Sequence, residues 1–141
     1  MRRIFDVIPL MFIPIGIYAI IALLAGSTQG VDVFATQLEK SSIYMPLPSG
    51  ISWGISGGTL IVALGLLILF YELIRGVANS PYAIVHHTLS VLLALTALGL
   101  FLVFDSFGTS TFFLLFIMCA LDMIGGVIVN IADASIRGGR D

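Results

Sequence analysis

Four ionisable side chains stand inside long apolar stretches of this sequence, where a charge is shielded from water. They are Glu72, His86, His87 and Asp122. A carboxylate in the middle of a bilayer costs about 2.5–3.5 kcal/mol on insertion scales, so it must be protonated, hydrogen-bonded or paired. An imidazole titrates near neutral pH. A carboxyl–imidazole contact could therefore either fasten two helices together or move a proton.

Asp122 is the most informative of the four because it lies near the middle of its apolar stretch. At about 1.5 Å per helical residue, Asp122 and His87 lie at similar depths on segments that follow each other in the chain. We therefore expect a contact between Asp122 and His86 or His87. Three roles fit this contact: a structural clamp that sets helix register, a proton or ion relay, or an attachment to a helix of another protein.

The other ionisable side chains indicate structure rather than catalysis. Glu72 stands three residues before Arg75, a spacing that favours an ion pair on a helix surface at headgroup level. His86 and His87 are neighbours on one helix and point about 100° apart, so they cannot chelate one metal ion. No other histidine exists to complete a bis-histidine haem site, and Cys119 is the single cysteine. We expect no metal and no cofactor.

No motif in the sequence predicts a catalytic residue. A Gly-rich phosphate loop, an HExxH zinc motif and a CxxC pair are all missing. Ser90, His86 and Asp122 could be drawn as a triad, but nothing in their spacing supports that chemistry. Six basic residues and a net charge of −2 also leave no basic patch for nucleic acid.

The composition identifies the medium in which these residues lie. Of the 141 residues, 59% are hydrophobic and 10% are charged, and the mean hydropathy is +1.14. A soluble domain has about 45–50% apolar and about 25% charged residues. The chain therefore has too few polar side chains to cover a water-soluble globule, and we expect an integral membrane protein in contact with the lipid bilayer.

Apolar stretches of bilayer-spanning length predict the architecture. A membrane helix needs about 20 apolar residues, and the predicted class is an all-α, polytopic four-transmembrane-helix bundle. The remaining long segment is an outer loop in which Val31, Phe34 and Leu38 recur at helical spacing. That pattern fits either a short amphipathic helix on the membrane surface or a mobile loop. The predicted spans are 7–25, 55–74, 82–104 and 111–131, and the outer loop is 26–54.

The basic residues predict the orientation of these spans. In a four-span topology five arginines fall on one side of the membrane and Lys40 alone falls on the other. The positive-inside rule then places both termini in the cytoplasm. The first apolar run is longer than the core of a signal peptide, so we expect it to be retained. The arginines are Arg2, Arg3, Arg75, Arg137 and Arg140.

Small and aromatic residues suggest how the bundle is assembled. Glycines let helix backbones approach closely in lipid, where packing drives association. Trp53 precedes the second span and is expected to anchor the chain at the water–lipid boundary. The predicted packing glycines are Gly57, Gly58 and Gly65 on the second span and Gly125 and Gly126 on the fourth.

Several segments together resemble a family of small, uncharacterised four-span inner-membrane proteins of proteobacteria. The segments are Leu47-Pro48-Ser49-Gly50, residues 66–72, residues 87–90, residues 108–115 and Leu121-Asp122. The run 108–115 is the most distinctive. The resemblance implies a bacterial inner membrane, and it implies no activity.

Three functions remain open at this point. The first is a non-enzymatic accessory or assembly subunit of a larger inner-membrane complex, in contact with other membrane proteins or with further copies of itself. The second is a small proton- or ion-conducting channel or transporter that uses Asp122 and His86 or His87. The third is a quinone-binding protein or a membrane enzyme subunit. The lack of catalytic motifs and the glycine-lined faces favour the first.

Overall fold

The computed structural model describes residues 8–75 and 83–138, which form mostly α-helix with one small sheet. Arg2, Arg3, Arg140 and the starts of the first and third predicted spans lie outside these residues. In chain order the elements are α1 (Phe12–Gln29), α2 (Val31–Glu39), β1 (Ser41–Pro46), β2 (Ser52–Ser56), α3 (Gly57–Arg75), α4 (Ala83–Val103), a 3₁₀ turn (Asp105–Phe107) and α5 (Ser110–Gly138).

Three of these helices are long and apolar enough to cross a bilayer. The qualifying segments are Gly57–Ile74 in α3, Ile84–Val103 in α4 and Ser110–Ile128 in α5, and the apolar part of α1 is shorter, Phe12–Thr28. Only 28–33% of the residues in each long segment are buried within the chain. Apolar side chains thus cover both the interior and the outside of the bundle, as expected for a membrane-embedded helical protein.

The prolines near the start of α1 explain where this helix begins. The predicted span opened at residue 7, but α1 begins at Phe12. Pro14 therefore stands in the first helical turn, where a backbone N–H has no partner within the helix. The N–H that proline lacks would make no helical hydrogen bond at this position, so Pro14 does not interrupt the helix.

The segment between α1 and β1 contains a helix that docks on the bundle. Gly30 ends α1 with a φ of +89°, a conformation that glycine adopts without strain, and α2 starts at the next residue. Phe34 and Leu38 of α2 are buried, and the Phe34 ring packs edge-on against Tyr18 of α1 with 5.9 Å between centroids. Of the two structures predicted for this segment, a short helix or a mobile loop, the structure contains the helix.

A β-hairpin follows α2, and it was not predicted from the sequence. Strands β1 and β2 pair antiparallel, with Met45 opposite Trp53. Gly50 closes the connection with a φ of +83°, and its N–H donates to the carbonyl of Leu47 at 2.9 Å. A turn that ends in a left-handed glycine is a common way to close a hairpin.

Glycines set the closest approaches between the long helices. A Cβ added at Gly65 would lie 2.9 Å from Leu115 Cδ2, and one at Gly125 would lie 3.0 Å from Leu73 Cδ2. One added at Gly58 would collide with the Thr111 hydroxyl. Helices α3 and α5 therefore approach each other through glycine at several levels. Gly57 contributes less, because its added Cβ would meet Leu38 at an ordinary 3.8 Å.

Candidate functional site

Glu72 is the centre of a buried polar cluster near the end of α3. Its Oε1 accepts a hydrogen bond from the Leu10 backbone N–H at 2.8 Å and lies 3.1 Å from His86 Nε2. The Glu72 side chain is only 2% exposed and that of His86 9%. One carboxylate oxygen thus joins the segment before α1, helix α3 and helix α4.

The contacts of Glu72 differ from those expected from the sequence. The spacing predicted an ion pair with Arg75, whose side chain lies outside the described part of the structure. The observed imidazole partner comes from another helix, fourteen residues away in sequence. Helical spacing along α3 cannot reveal such a contact, because it depends on how α4 is rotated about its own axis.

Asp122 brings a second carboxyl to the same region from α5. It is 8% exposed, and it lies within electrostatic range of Glu72, His86 and His87. In the described part of the chain, no hydrogen bond joins Asp122 to either imidazole. Ser90 of α4 faces the Asp122 carboxyl. The four residues predicted to form an intramembrane polar cluster therefore share one region, with Glu72 rather than Asp122 bound to His86.

His87 lies against α5 through a glycine. A Cβ added at Gly126 would stand 2.7 Å from His87 Nδ1, closer than such atoms approach. Gly126 therefore makes room for the imidazole, which is half-buried. This close approach places both histidines of the chain at contacts between helices.

Two buried polar atoms of the cluster have no hydrogen-bond partner among the described residues. They are Glu72 Oε2 and the Ser90 hydroxyl oxygen. Burying a polar group without a partner costs about 1–3 kcal/mol, so these two atoms lower the stability of the fold. Within the described ranges, no group of three histidine, cysteine, aspartate or glutamate side chains is arranged to hold a metal ion.

A second polar centre, at the opposite end of the bundle, was missed from the sequence. The Tyr18 hydroxyl lies 2.6 Å from Thr109 Oγ1 and 3.1 Å from the Ser106 carbonyl oxygen, which it donates to. Tyr18 is fully buried among the rings of Phe34, Phe107 and Phe112. A lone tyrosine within the first apolar run was the only available signal.

Thr109 also shapes the start of α5. Its hydroxyl oxygen accepts a hydrogen bond from the Phe112 N–H at 3.2 Å. This is the geometry of an N-cap. Because the same hydroxyl also contacts Tyr18, the cap couples the start of α5 to α1.

The comparisons with known proteins provide no assignment for this site. No protein-family model, curated protein or solved structure matches the chain.

Proposed function

We propose that the protein is a non-enzymatic membrane subunit with four spans, which associates with the helices of other membrane proteins in a larger complex. The resemblance in the sequence supports a bacterial inner membrane as the location of this complex. The arginine distribution supports a cytoplasmic position for both termini. This four-span topology requires α1 to cross the membrane as well, although it is the shortest of the apolar helices.

The observation that carries this proposal is the unoccupied face of α4. Helix α4 packs mainly on α5, and a stripe along its other side is exposed. Gly99 lies in the middle of this stripe, and a Cβ added there would meet nothing within 4 Å. The stripe consists of Leu92, Leu95, Thr96, Gly99, Leu102 and Val103.

A close-packed partner helix accounts for a glycine at this position. Lipid chains adapt to a leucine or an alanine as readily as to a glycine, and glycine inside a helix costs about 1 kcal/mol relative to alanine. In membranes, small residues allow the close backbone approach on which helix association depends. The α4 stripe therefore has the form of a surface for another helix.

The polar cluster supports the same role. Glu72 Oε1 is engaged by both Leu10 and His86, so this carboxylate fastens the chain before α1 to α3 and α4. A residue committed to such contacts serves to hold the helices in register. That role suits a subunit whose rigid shape is what the complex uses.

Mild purification with matched variants tests the proposal. We expect the wild-type protein to carry a partner at fixed stoichiometry. Gly99→Leu should reduce this partner several-fold by blocking close approach. The control is Ala63→Leu on α3, an exposed small residue outside the α4 stripe, and it should retain the partner. Equal partner content in the two variants, or a wild-type chain that purifies alone, would refute the proposal.

The polar cluster also favours a second candidate, a small proton-conducting protein. The unpartnered Glu72 Oε2 and Ser90 hydroxyl lie with Asp122 between three helices. Carboxyl and imidazole groups in membrane helices are the usual components of proton relays. A proton flux measurement separates this candidate from the first.

A further inference from the structure

The β1–β2 hairpin separates its side chains cleanly into two faces. Successive residues of a strand point to opposite sides, and residues paired across an antiparallel ladder point to the same side. The register pairs Ile43 with Ile55 and Met45 with Trp53. The Leu47 N–H donates to the Ile51 carbonyl at 2.9 Å, which continues the same alternation into the turn. The apolar face is therefore Ile43, Met45, Leu47, Ile51, Trp53 and Ile55.

The opposite face has small or polar residues around one tyrosine. Tyr44 pairs with Gly54, and a Cβ added at Gly54 would lie 3.3 Å from the Tyr44 ring. Pro46 pairs with Ser52, and Ser41 with Ser56, on this side. The hairpin is therefore amphipathic, with large apolar side chains on one face alone.

The chain itself leaves most of the apolar face uncovered. The exposed fractions reach 52% for Ile43, 68% for Ile51 and 49% for Trp53. A two-stranded hairpin is at best marginally stable in water unless its apolar face packs against something. This face therefore requires a cover from outside the chain.

We propose that this cover is the lipid surface of the leaflet in which α3 begins. No residue separates the last residue of β2, Ser56, from the first of α3, Gly57, and the part of α3 that is long and apolar enough to cross a bilayer starts at Gly57. The base of the hairpin is thus fixed at the membrane boundary. The apolar face lies in the zone between headgroups and acyl chains, and Tyr44 faces the water.

The charge pattern agrees with a lipid cover. Residues 41–56 contain no charged side chain, whereas Glu39 and Lys40 immediately precede them. Tryptophan is enriched at membrane interfaces, where its ring meets apolar chains and its N–H finds a polar partner. The outer edges of a two-stranded sheet leave backbone groups unpaired, and hydrocarbon cannot satisfy them. The hairpin therefore lies flat at headgroup level and does not insert deeply.

Trp53 is the single tryptophan of the chain, so its fluorescence reports on the apolar face directly. The full-length protein is reconstituted in phosphatidylcholine vesicles at a low protein-to-lipid ratio. The emission is then quenched either by lipids brominated near the carbonyl end of the acyl chain or by aqueous iodide. We expect strong quenching by the brominated lipid, and quenching by iodide that is several-fold weaker than that of free tryptophan.

Two relocated tryptophans supply matched controls in a Trp53→Phe background. Met45→Trp lies on the same face, directly across the ladder from position 53, and should behave like Trp53. Tyr44→Trp is one residue away on the opposite face and should show the reverse pattern, with strong iodide quenching. Either of two results would overturn the proposal. One is iodide quenching that is equal at positions 44 and 45, and the other is protection of Trp53 from both quenchers, which would indicate a protein cover.

Discussion

The imidazole Nε2 of His86 lies 3.1 Å from Oε1 of Glu72, although the two residues belong to different membrane helices. The same oxygen accepts the N–H of Leu10. One carboxylate oxygen therefore fixes the rotation of α4 against α3 and also holds the chain where it enters α1. Replacing Glu72 by an apolar residue should therefore have a different effect from replacing it by its neutral amide, glutamine.

Replacement of Glu72 by leucine should destabilise the fold, whereas replacement by glutamine should have a smaller effect. Leucine leaves the Leu10 N–H and the His86 ring nitrogen without their acceptor. An unsatisfied buried group costs about 1–3 kcal/mol, although hydrogen bonds between membrane helices average nearer 0.6 kcal/mol. We expect a loss of about 1–2 kcal/mol for Glu72→Leu. Glutamine retains the amide oxygen at the Oε1 position and should lose less than about 1 kcal/mol.

The measurement is the free energy of unfolding in mixed micelles titrated with a denaturing detergent. Tyr71→Leu serves as the control, since Tyr71 is adjacent in sequence but 57% exposed. It should leave stability close to that of the wild type. A Glu72→Leu protein as stable as this control would show that the hydrogen bonds of Glu72 do not hold the helices.

Thr109 offers a test at the opposite end of the bundle. Thr109→Val keeps the size of the side chain but removes the cap of α5 and the partner of the Tyr18 hydroxyl. Loss of an N-cap costs about 0.5–2 kcal/mol, and we expect an effect near the upper limit because Tyr18 loses a contact too. Thr109→Ser retains the hydroxyl and should recover most of the stability. A valine variant at least as stable as the serine variant would show that packing of the methyl group, and not the hydroxyl, stabilises this end of the bundle.

Hydropathy was sufficient to predict α3, α4 and α5 because each of them is long, apolar and locally determined. The observed start of α1 lies later than the predicted one. Hydropathy does not show where a helix begins, so it could not show that Pro14 lies in the first turn. The helical spacing of Phe34 and Leu38 indicated α2. The sequence did not show against which surface these two residues pack. These features follow from residues that are near each other in sequence.

The features that were missed depend on contacts between distant segments. The pairing of Met45 with Trp53 has no local signature, because a short apolar run can be strand or loop until a second run pairs with it. The Glu72–His86 contact depends on the relative rotation of α3 and α4. Depth along a helix can be counted from the sequence, and for that reason Asp122 and the histidines were expected in one region. Rotation about the helix axis cannot be counted in this way.

The membrane topology is open to a direct test. Reporter fusions after residue 141 and within residues 76–81 should show a cytoplasmic location, because the arginines cluster on that side. A fusion near Lys40 should show the outer side. Since α1 is the shortest apolar helix, the decisive comparison is between the N-terminus and the C-terminus. A tag at residue 1 that external protease removes in spheroplasts, whose outer membrane has been opened, would mean that α1 does not cross the bilayer.

Asp122 separates the two candidate functions. As a structural residue, its carboxyl needs only a hydrogen-bonding group at that position, and Asp122→Asn supplies one. As a relay, the carboxyl must bind and release a proton in each cycle, which an amide cannot do. The measurement is proton flux into vesicles that contain the wild-type protein or the Asn variant. Because we propose a structural subunit, we expect neither protein to conduct above empty vesicles and both to show the same unfolding free energy within about 1 kcal/mol.

Ser90→Ala provides the matched variant for this experiment, because the buried Ser90 hydroxyl faces the Asp122 carboxyl. If the cluster is structural, alanine should be neutral or slightly stabilising, since it removes an unsatisfied hydroxyl. If the hydroxyl carries protons between Asp122 and the rest of the cluster, alanine should lower the flux of a conducting protein. Clear wild-type flux that is lost in Asp122→Asn and reduced in Ser90→Ala would replace the subunit proposal with the proton-conducting one.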